Sequence, residues 1–247
     1  MDGVFFWSMA VLAAMLIGMA KGGLPAVGLL SVPLLSLAIS PVAAAGILLP
    51  VYVVSDMFGL YAYRRDYDLR VVLIVAAGAT VGVGIGWATA SVVSEQVVTV
   101  LVGAVGLAFA SYLLLRQTGE RTRRVGKLGP GLFWSVLAGF TSFVSHAGAP
   151  PYQVYVMPLG LPKAVFAGTA TIAFAYINAI KLVPYYLLGQ LGIDNLRVAA
   201  VLLPVAVSAV FVGVRLVKVL PEKLFFRLVT WALLAVSVKL IWDGVSG

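Results

Sequence analysis

The chain has 247 residues, of which 62% are hydrophobic and 11% are charged. Soluble domains contain about 45–50% apolar and about 25% charged residues, so this composition excludes a soluble protein and indicates a polytopic membrane protein. Cysteine is absent, and one histidine with nine acids provides too few ligands for a metal cluster, so we predict no cofactor.

Apolar segments close to the length of a membrane-spanning helix recur along the chain. In chain order they cover residues 4–20, 25–39, 42–63, 71–90, 96–115, 131–146, 150–160, 164–188, 195–214 and 224–242. Because the pairs 4–20 with 25–39 and 131–146 with 150–160 are short and interrupted by glycine and proline, we expect each pair to form a hairpin ending inside the protein. At about 20 residues for each pass, the length allows roughly seven to nine membrane segments and no separate soluble domain.

Basic residues concentrate in the loops between these segments, which explains the net charge of +8 without a nucleic-acid partner. The loop Arg116–Lys127 and the stretches Arg64–Arg70 and Arg215–Arg227 are predicted to be cytoplasmic. Both termini then lie outside, and Arg197, beside Asp194, is the one discordant basic residue. No basic residue precedes the first segment, so we expect that segment to be retained.

The two halves of the chain share short motifs in the same order. The matching pairs are Phe6-Trp7-Ser8 with Phe133-Trp134-Ser135, Gly23-Leu24-Pro25 with Ala149-Pro150-Pro151, Ala45-Gly46 with Ala167-Gly168, and Asp56 with Asn178. Since the first half starts outside and the second starts inside, the matches predict an inverted-topology repeat of about five segments in each half. We predict an all-α fold with repeats at 1–116 and 131–247, joined by a basic cytoplasmic linker at 117–130. Secondary transporters typically have this architecture.

Four ionisable residues lie within or at breaks of the apolar segments: Lys21, Asp56, His146 and Lys181. A charge at the centre of a membrane helix costs about 2.5–3.5 kcal/mol on insertion scales, so we expect these side chains to face a cavity or each other. The alternative for the lysines is that they snorkel to an interface or form a structural ion pair.

Helical spacing groups polar residues into two stripes. The stripes are Thr171, Asn178, Lys181 and Tyr185 on one helix and Tyr52, Asp56, Gly59 and Tyr63 on the matching helix. If the halves are related by a pseudo-two-fold axis, the two stripes line one cavity. By contrast, the run Gly82–Gly86 lies inside an apolar segment and predicts close helix packing, not a nucleotide loop.

Two breaks, Gly22–Pro25 and His146–Pro151, interrupt the hairpins. Proline suits the first turn of a helix, so we expect the next helix to begin at each break and to direct its free N–H groups towards the protein interior. Such an end favours an anion beside Lys21 and near His146. The alternative is a plain kink between packed helices.

These residues resemble the sulfite exporter TauE/SafE family over nearly the whole chain. The resemblance rests on Gly18-Met19-Ala20-Lys21-Gly22-Gly23-Leu24, Val32-Pro33, Leu49-Pro50, Asp56, His146-Ala147-Gly148-Ala149-Pro150-Pro151, Gly168-Thr169, Asn178 and Lys181. It implies a multipass carrier of the bacterial plasma membrane that moves sulfite, sulfonates, sulfoacetate or related small anions. Gly148-Ala149 stands where the family is richer in glycine. The export direction is implied by the resemblance alone.

We therefore predict a secondary transporter and not an enzyme, with a small anion, coupled protons and membrane lipid as its partners. The predicted substrate-binding residues are Lys21, Gly22, Gly23, His146, Gly148, Thr169, Asn178 and Lys181, and the predicted hinge residues are Pro25, Pro150 and Pro151. Asp56 is the predicted proton site, because its counterpart Asn178 is a neutral isostere, and His146 is the rival. The sequence leaves the anion, the coupling ion and the oligomeric state open.

Two other functions are compatible with the same residues. The first is an intramembrane enzyme acting on a lipid-linked substrate with His146 as base, although paired catalytic carboxylates are missing from the sequence pattern. The second is a retinal protein with Lys181 as the Schiff-base residue and Asp56 as its counter-ion, which a colourless purified protein would exclude.

Overall fold

The computed structural model describes residues 3–25, 27–90, 92, 94–115 and 124–246, and these residues form helices and no strand. The helices are α1 (Val4–Lys21), α2 (Ser31–Ser36), α3 (Pro41–Tyr63), α4 (Leu69–Ala88), α5 (Glu95–Leu115), α6 (Leu128–Ser145), α7 (Ala149–Val156), α8 (Lys163–Leu187), α9 (Ile193–Val219) and α10 (Glu222–Ser246). Eight helices in this part of the chain are long and apolar enough to cross a membrane, which confirms the all-α polytopic class. Residues 117–123 of the basic linker, including Arg121 and Arg123, lie outside the described residues, as does Arg116 just before it.

Each predicted hairpin is present and returns to the end of the bundle where it began. In the first, Phe6 of α1 and Leu35 of α2 belong to one buried cluster. In the second, the Arg124 N–H, just before α6, donates to the Leu159 carbonyl oxygen, just after α7, at 2.8 Å. The chain therefore turns back on itself after α1 and again after α6.

The two breaks differ in how the chain restarts. Helix α7 begins at Ala149 with Pro150 and Pro151 in its first turn, as predicted. The expectation that Pro25 starts a regular helix is wrong, because a 3₁₀ segment, Val27–Leu30, comes before α2. The Tyr52 hydroxyl donates to the Gly28 carbonyl oxygen at 2.8 Å and holds this tighter turn against α3.

The helices pack in pairs around a central contact between α3 and α8. Helix α1 packs on α9, α6 packs on α4, and α5 packs on α10. Prolines lie inside both central helices, at Pro50 in α3 and Pro184 in α8. A proline cannot donate to the carbonyl four residues earlier, so each central helix has a point of reduced backbone bonding.

Glycine sets the closest of these helix contacts. A Cβ atom on Gly22 would lie 2.6 Å from the Cα of Gly213 in α9, and one on Gly139 of α6 would lie 2.6 Å from the Cα of Ala79 in α4. A Cβ on Gly82 of α4 would lie 2.7 Å from the backbone nitrogen of Phe140. Backbones approach this closely only where a side chain is missing. The predicted packing role of Gly82 is thus confirmed.

One end of the bundle, which we call the basic end, collects the end of α3, the starts of α4, α6, α8 and α10, and the end of α9. The Thr169 hydroxyl accepts a hydrogen bond from the Asp68 N–H at 2.9 Å, and Lys163 donates to the Lys218 and Leu220 carbonyls. Basic side chains at this end are Arg64, Arg65, Arg70, Arg124, Lys127, Lys163, Arg215, Lys218, Lys223 and Arg227.

At the opposite end of the bundle, α1, α3, α5 and α9 begin, and α4, α8 and α10 end. Here Arg197 pairs with Asp194 and Lys239 pairs with Asp243. The basic side chains at this end are therefore balanced by acids, whereas those at the basic end outnumber the acids around them.

The close contact between α4 and α6 generates a stability prediction. Gly82→Ala should lower the unfolding free energy by about 1–3 kcal/mol, because the added methyl group overpacks the interface. Gly84→Ala is the matched control, since a Cβ at Gly84 meets no atom within 4 Å. Thermal unfolding of the purified variants in detergent measures both. Equal midpoints for the two variants would contradict the packing role of Gly82.

Candidate functional site

A buried carboxylate joins three helices at the centre of the bundle. The Lys21 Nζ at the end of α1 lies 2.7 Å from Oδ1 of Asp56 in α3. The Asn178 Nδ2 of α8 donates to the other oxygen, Oδ2, at 2.8 Å. Lys21 and Asn178 are each 4% exposed and Asp56 is fully buried, so the group is shielded from solvent. The structural ion pair that the sequence left open for Lys21 is present.

This arrangement explains how α1 is held so deep in the protein. Charges taken out of water are tolerated only when they are paired and hydrogen-bonded, and losing one partner of such a pair costs about 3–5 kcal/mol. Aromatic rings complete the surroundings of the ammonium, with the Tyr52 ring centroid 5.1 Å and the Phe174 ring centroid 5.9 Å from Lys21 Nζ. The Thr171 hydroxyl also donates to the Lys21 carbonyl oxygen at 3.1 Å.

Lys181, one turn beyond Asn178 on α8, is fully buried and does not snorkel. Its Nζ donates to the Ser142 carbonyl oxygen at 2.8 Å and lies 3.4 Å from the Ser142 hydroxyl. Within the described part of the chain it has no carboxylate partner. An ammonium carries three donors, so Lys181 keeps one donor beyond these two contacts.

The second break places His146 in a left-handed backbone conformation, with φ of 54°. Non-glycine residues adopt this conformation rarely, and it ends α6 sharply. The Ala147 N–H donates to the Thr141 carbonyl oxygen at 3.2 Å, which fixes the turn. His146 is therefore presented to the centre of the bundle by the strained end of a helix, and not by a regular face.

The hydrogen bonds of His146 determine what it can offer a ligand. The Tyr185 hydroxyl donates to the Phe143 carbonyl oxygen at 3.0 Å and lies 3.3 Å from Nδ1 of His146. The donor in this contact depends on which ring nitrogen of His146 carries the proton. Nε2 is buried and makes no hydrogen bond within the described residues.

A small cavity of about 40 Å³, which we call the central cavity, lies beside these groups. Its lining comprises Ala20, Lys21, Pro25, Gly28, Leu29, Tyr52, Ser142, His146, Ala149, Ala170, Thr171, Phe174 and Asn178. Both halves of the chain contribute polar atoms to it. Ala149 is the first residue of α7, so the amino-terminal end of that helix reaches the cavity wall.

The structure separates the predicted site residues into two groups. Lys21, Pro25, His146 and Asn178 line the central cavity, and the remaining residues lie behind its wall or further away. Asp56 and Lys181 lie directly behind the cavity wall. Asp56 contacts the lining residues Lys21 and Asn178, and Lys181 contacts the lining residue Ser142. Pro150 and Pro151 lie inside the first turn of α7.

Three predicted residues have packing contacts instead. Gly22 packs against α9, and Gly148 packs against Ala138 and Ser142 of α6. Gly23 adopts a φ of 110° close to Tyr63, which suits glycine alone.

Thr169 lies away from the cavity, at the basic end, where it holds the start of α4 through Asp68. Thr171 takes the cavity position instead. Ser142 and Phe174 were not anticipated as lining residues. Ser142 precedes His146 by one helical turn and Phe174 shares the helical stripe of Thr171 and Asn178, so spacing alone could have indicated both.

Within the described residues no cluster of three or more histidine or acidic side chains is placed to hold a metal ion. Asp56, the carboxylate behind the wall of the central cavity, has its two oxygens engaged by Lys21 and Asn178. The arrangement is that of a water-shielded polar site with two buried lysines, an amide and hydroxyl groups. Such a set of donors can bind and compensate an anion.

Comparison with known families matches residues 10–240 to the family described as sulfite exporter TauE/SafE. Comparisons with curated proteins and with solved structures give no significant match. The match covers nearly the whole chain and confirms the resemblance carried by the motifs around Lys21 and His146. This chain belongs to the sulfite exporter TauE/SafE family of membrane transporters.

Proposed function

We propose that the protein is a secondary transporter that exports a small sulfur-containing anion, of the sulfite, sulfonate or sulfoacetate type, across the bacterial plasma membrane. The observation that carries this proposal is the buried central cavity with Lys21 in its wall and Lys181 behind Ser142. Membership of an exporter family supports the direction. Anion efflux from liposomes containing the purified protein tests the proposal. Turnover of a lipid-linked substrate without anion flux would favour the enzyme alternative.

We further propose that the halves form an inverted repeat that supports alternating access. Asp56 and Asn178 are 122 residues apart, and Tyr63 and Tyr185 share that separation. Tyr63 donates to the Gly22 carbonyl oxygen at 2.6 Å, and Tyr185 donates to that of Phe143 at 3.0 Å. Each tyrosine thus anchors the helix end before one break. The packing of α1 on α9 and of α6 on α4 has the same reciprocal pattern.

The contacts around the cavity favour different roles for Lys21 and Lys181 in anion binding. Lys21 is already neutralised by Asp56, so Lys181 provides the uncompensated positive charge that a bound anion neutralises. Protonation of Asp56 would release Lys21 for the anion as well. Anion binding and proton binding are then linked through one carboxylate, with Lys21 and Lys181 as the charged groups on either side of it.

Replacing these lysines tests the anion site. Lys181→Met should weaken anion binding about ten-fold, because a positive charge held behind Ser142 at the cavity wall attracts the anion by on the order of 1–2 kcal/mol. Lys21→Met combined with Asp56→Asn should also weaken binding relative to Asp56→Asn alone, because Lys21 is available to the anion only when that carboxylate is neutral. Lys239→Met, at the opposite end, is the control and should leave affinity unchanged. Calorimetry with sulfite, thiosulfate, sulfoacetate and taurine measures the effect. Unaltered affinity in folded Lys181→Met would remove Lys181 from the site.

A second variant tests proton coupling. Asp56→Asn copies the residue at the equivalent position of the other half and should preserve anion exchange across liposomes while abolishing acceleration by an imposed pH gradient. The amide cannot titrate, although it keeps the shape of the carboxylate. His146→Gln is the comparison. If gradient-driven transport survives in Asp56→Asn and disappears in His146→Gln, the proton site is His146 instead.

The charge asymmetry of the bundle supports placing the basic end in the cytoplasm and both termini outside. The chain has no native cysteine, so single cysteines report topology directly. Thr122→Cys should be protected from an impermeant thiol reagent added to intact cells, whereas Val245→Cys should be labelled. The opposite labelling pattern would overturn this orientation.

A further inference from the structure

Two cavities meet at one side chain. Besides the central cavity, a larger one of about 180 Å³, which we call the vestibule, lies towards the opposite end of the bundle. Its lining comprises Val32, Val42, Ala45, Ala90, Phe143, Val144, Ser145, His146, Tyr185, Leu188 and Gln190. His146 is common to the linings of both cavities.

The vestibule reaches the surface at the end of the bundle opposite the basic end. Val42 at the start of α3 is 55% exposed and Leu188 at the end of α8 is 44% exposed, so the vestibule opens between the ends of these helices. The walls of the central cavity include Ala149 at 4% and Ala170 at 1% exposure. A solute entering from this end therefore meets the vestibule first and His146 next.

Aromatic rings flank His146 and form a layer with it. The Tyr52 ring centroid lies 5.5 Å and the Tyr185 ring centroid 5.8 Å from the imidazole centroid. Tyr52 lines the central cavity and Tyr185 lines the vestibule, so the layer lies between the two spaces. Few bonds hold the imidazole in this position. Nδ1 contacts the Tyr185 hydroxyl, and Nε2 has no hydrogen-bond partner within the described residues.

The basic end is closed by different contacts. Tyr63 bonds to Gly22, Thr169 bonds to Asp68, and Lys163 bonds to the end of α9. These contacts join α3 to the end of α1, α8 to the start of α4, and α8 to the end of α9. The layer around His146 is thus the thinner of the two barriers, since a side-chain rotation would clear it whereas opening the basic end requires helices to separate.

We propose that His146, backed by Tyr52 and Tyr185, is the gate between the vestibule and the central cavity. Its side chain closes the path when the imidazole lies between the two tyrosine rings and opens it when the imidazole turns away. The left-handed turn at residue 146 directs the side chain across the path. This proposal rests on the proposed transport function for the idea of a path, and the accessibility test below does not require any anion to be transported.

Cysteine accessibility tests the gate in this cysteine-free chain. Ala170→Cys reports on the central cavity and Gln190→Cys reports on the vestibule. The reagent, an impermeant anionic methanethiosulfonate, is added on the side from which Gln190→Cys reacts, so the test is independent of membrane orientation. His146→Gly removes the side chain, and glycine accepts the left-handed backbone, which preserves the turn.

If His146 closes the path in about nine-tenths of the molecules, His146→Gly should speed modification of Ala170→Cys about ten-fold from that side. The rate at Gln190→Cys should not change. Val144→Ala, which shortens another vestibule side chain, is the matched control and should leave the rate at Ala170→Cys unaltered.

An unchanged rate at Ala170→Cys in the folded His146→Gly variant would overturn the gate. Modification of Ala170→Cys as fast as that of Gln190→Cys while His146 is present would also overturn the gate. An accelerated rate without any anion flux would contradict the transport proposal and retain the gate.

Discussion

The buried contact of Lys21 with Asp56 and Asn178 is the constraint on which the rest of the structure depends. It ties the end of α1 to both central helices, and neither the ammonium nor the carboxylate can lose its partner without a large cost in an apolar interior. Helix α1 must therefore stop at Lys21, and the chain must turn immediately. Glycine at 22 and 23 permits the turn, and the close packing of Gly22 on α9 follows from it.

The same contact divides the chemistry between the two lysines. Lys21 is held in an ion pair with Asp56, whereas Lys181 is held by the neutral Ser142 of α6. In the proposed mechanism, the charge of Lys21 becomes available to an anion only when Asp56 is neutralised. The proton would then bind Asp56 while the anion takes the place of that carboxylate beside Lys21, which would couple the two.

Most of the helices could be predicted from the sequence, because the bilayer requires apolar runs of a set length and glycine with proline interrupts them. The buried ionisable residues could also be predicted, since the cost of a charge in lipid requires it to face a cavity or a partner. The contact partners of these ionisable residues could not be predicted from the sequence. Whether Lys21 pairs with Asp56 depends on the stagger of α1 against α3, and whether Thr169 or Thr171 faces the cavity depends on the rotation of α8. Neither quantity is encoded in spacing along one helix. The 3₁₀ start after Pro25 could not be predicted either, because it depends on the contact of Gly28 with Tyr52 in another helix.

Pro184 gives helix α8 two mechanically distinct parts. The part before Pro184 carries Asn178, which is bonded to Asp56, and Lys181, which is bonded to Ser142. The part after Pro184 is the last turn of α8, and it carries Tyr185, which contacts His146. Because proline leaves the carbonyl four residues earlier without its helical donor, bending stiffness is lowest between these parts. The last turn of α8 can therefore bend while the stretch that carries Asn178 and Lys181 stays rigid, so movement at the vestibule need not disturb the charges at the centre.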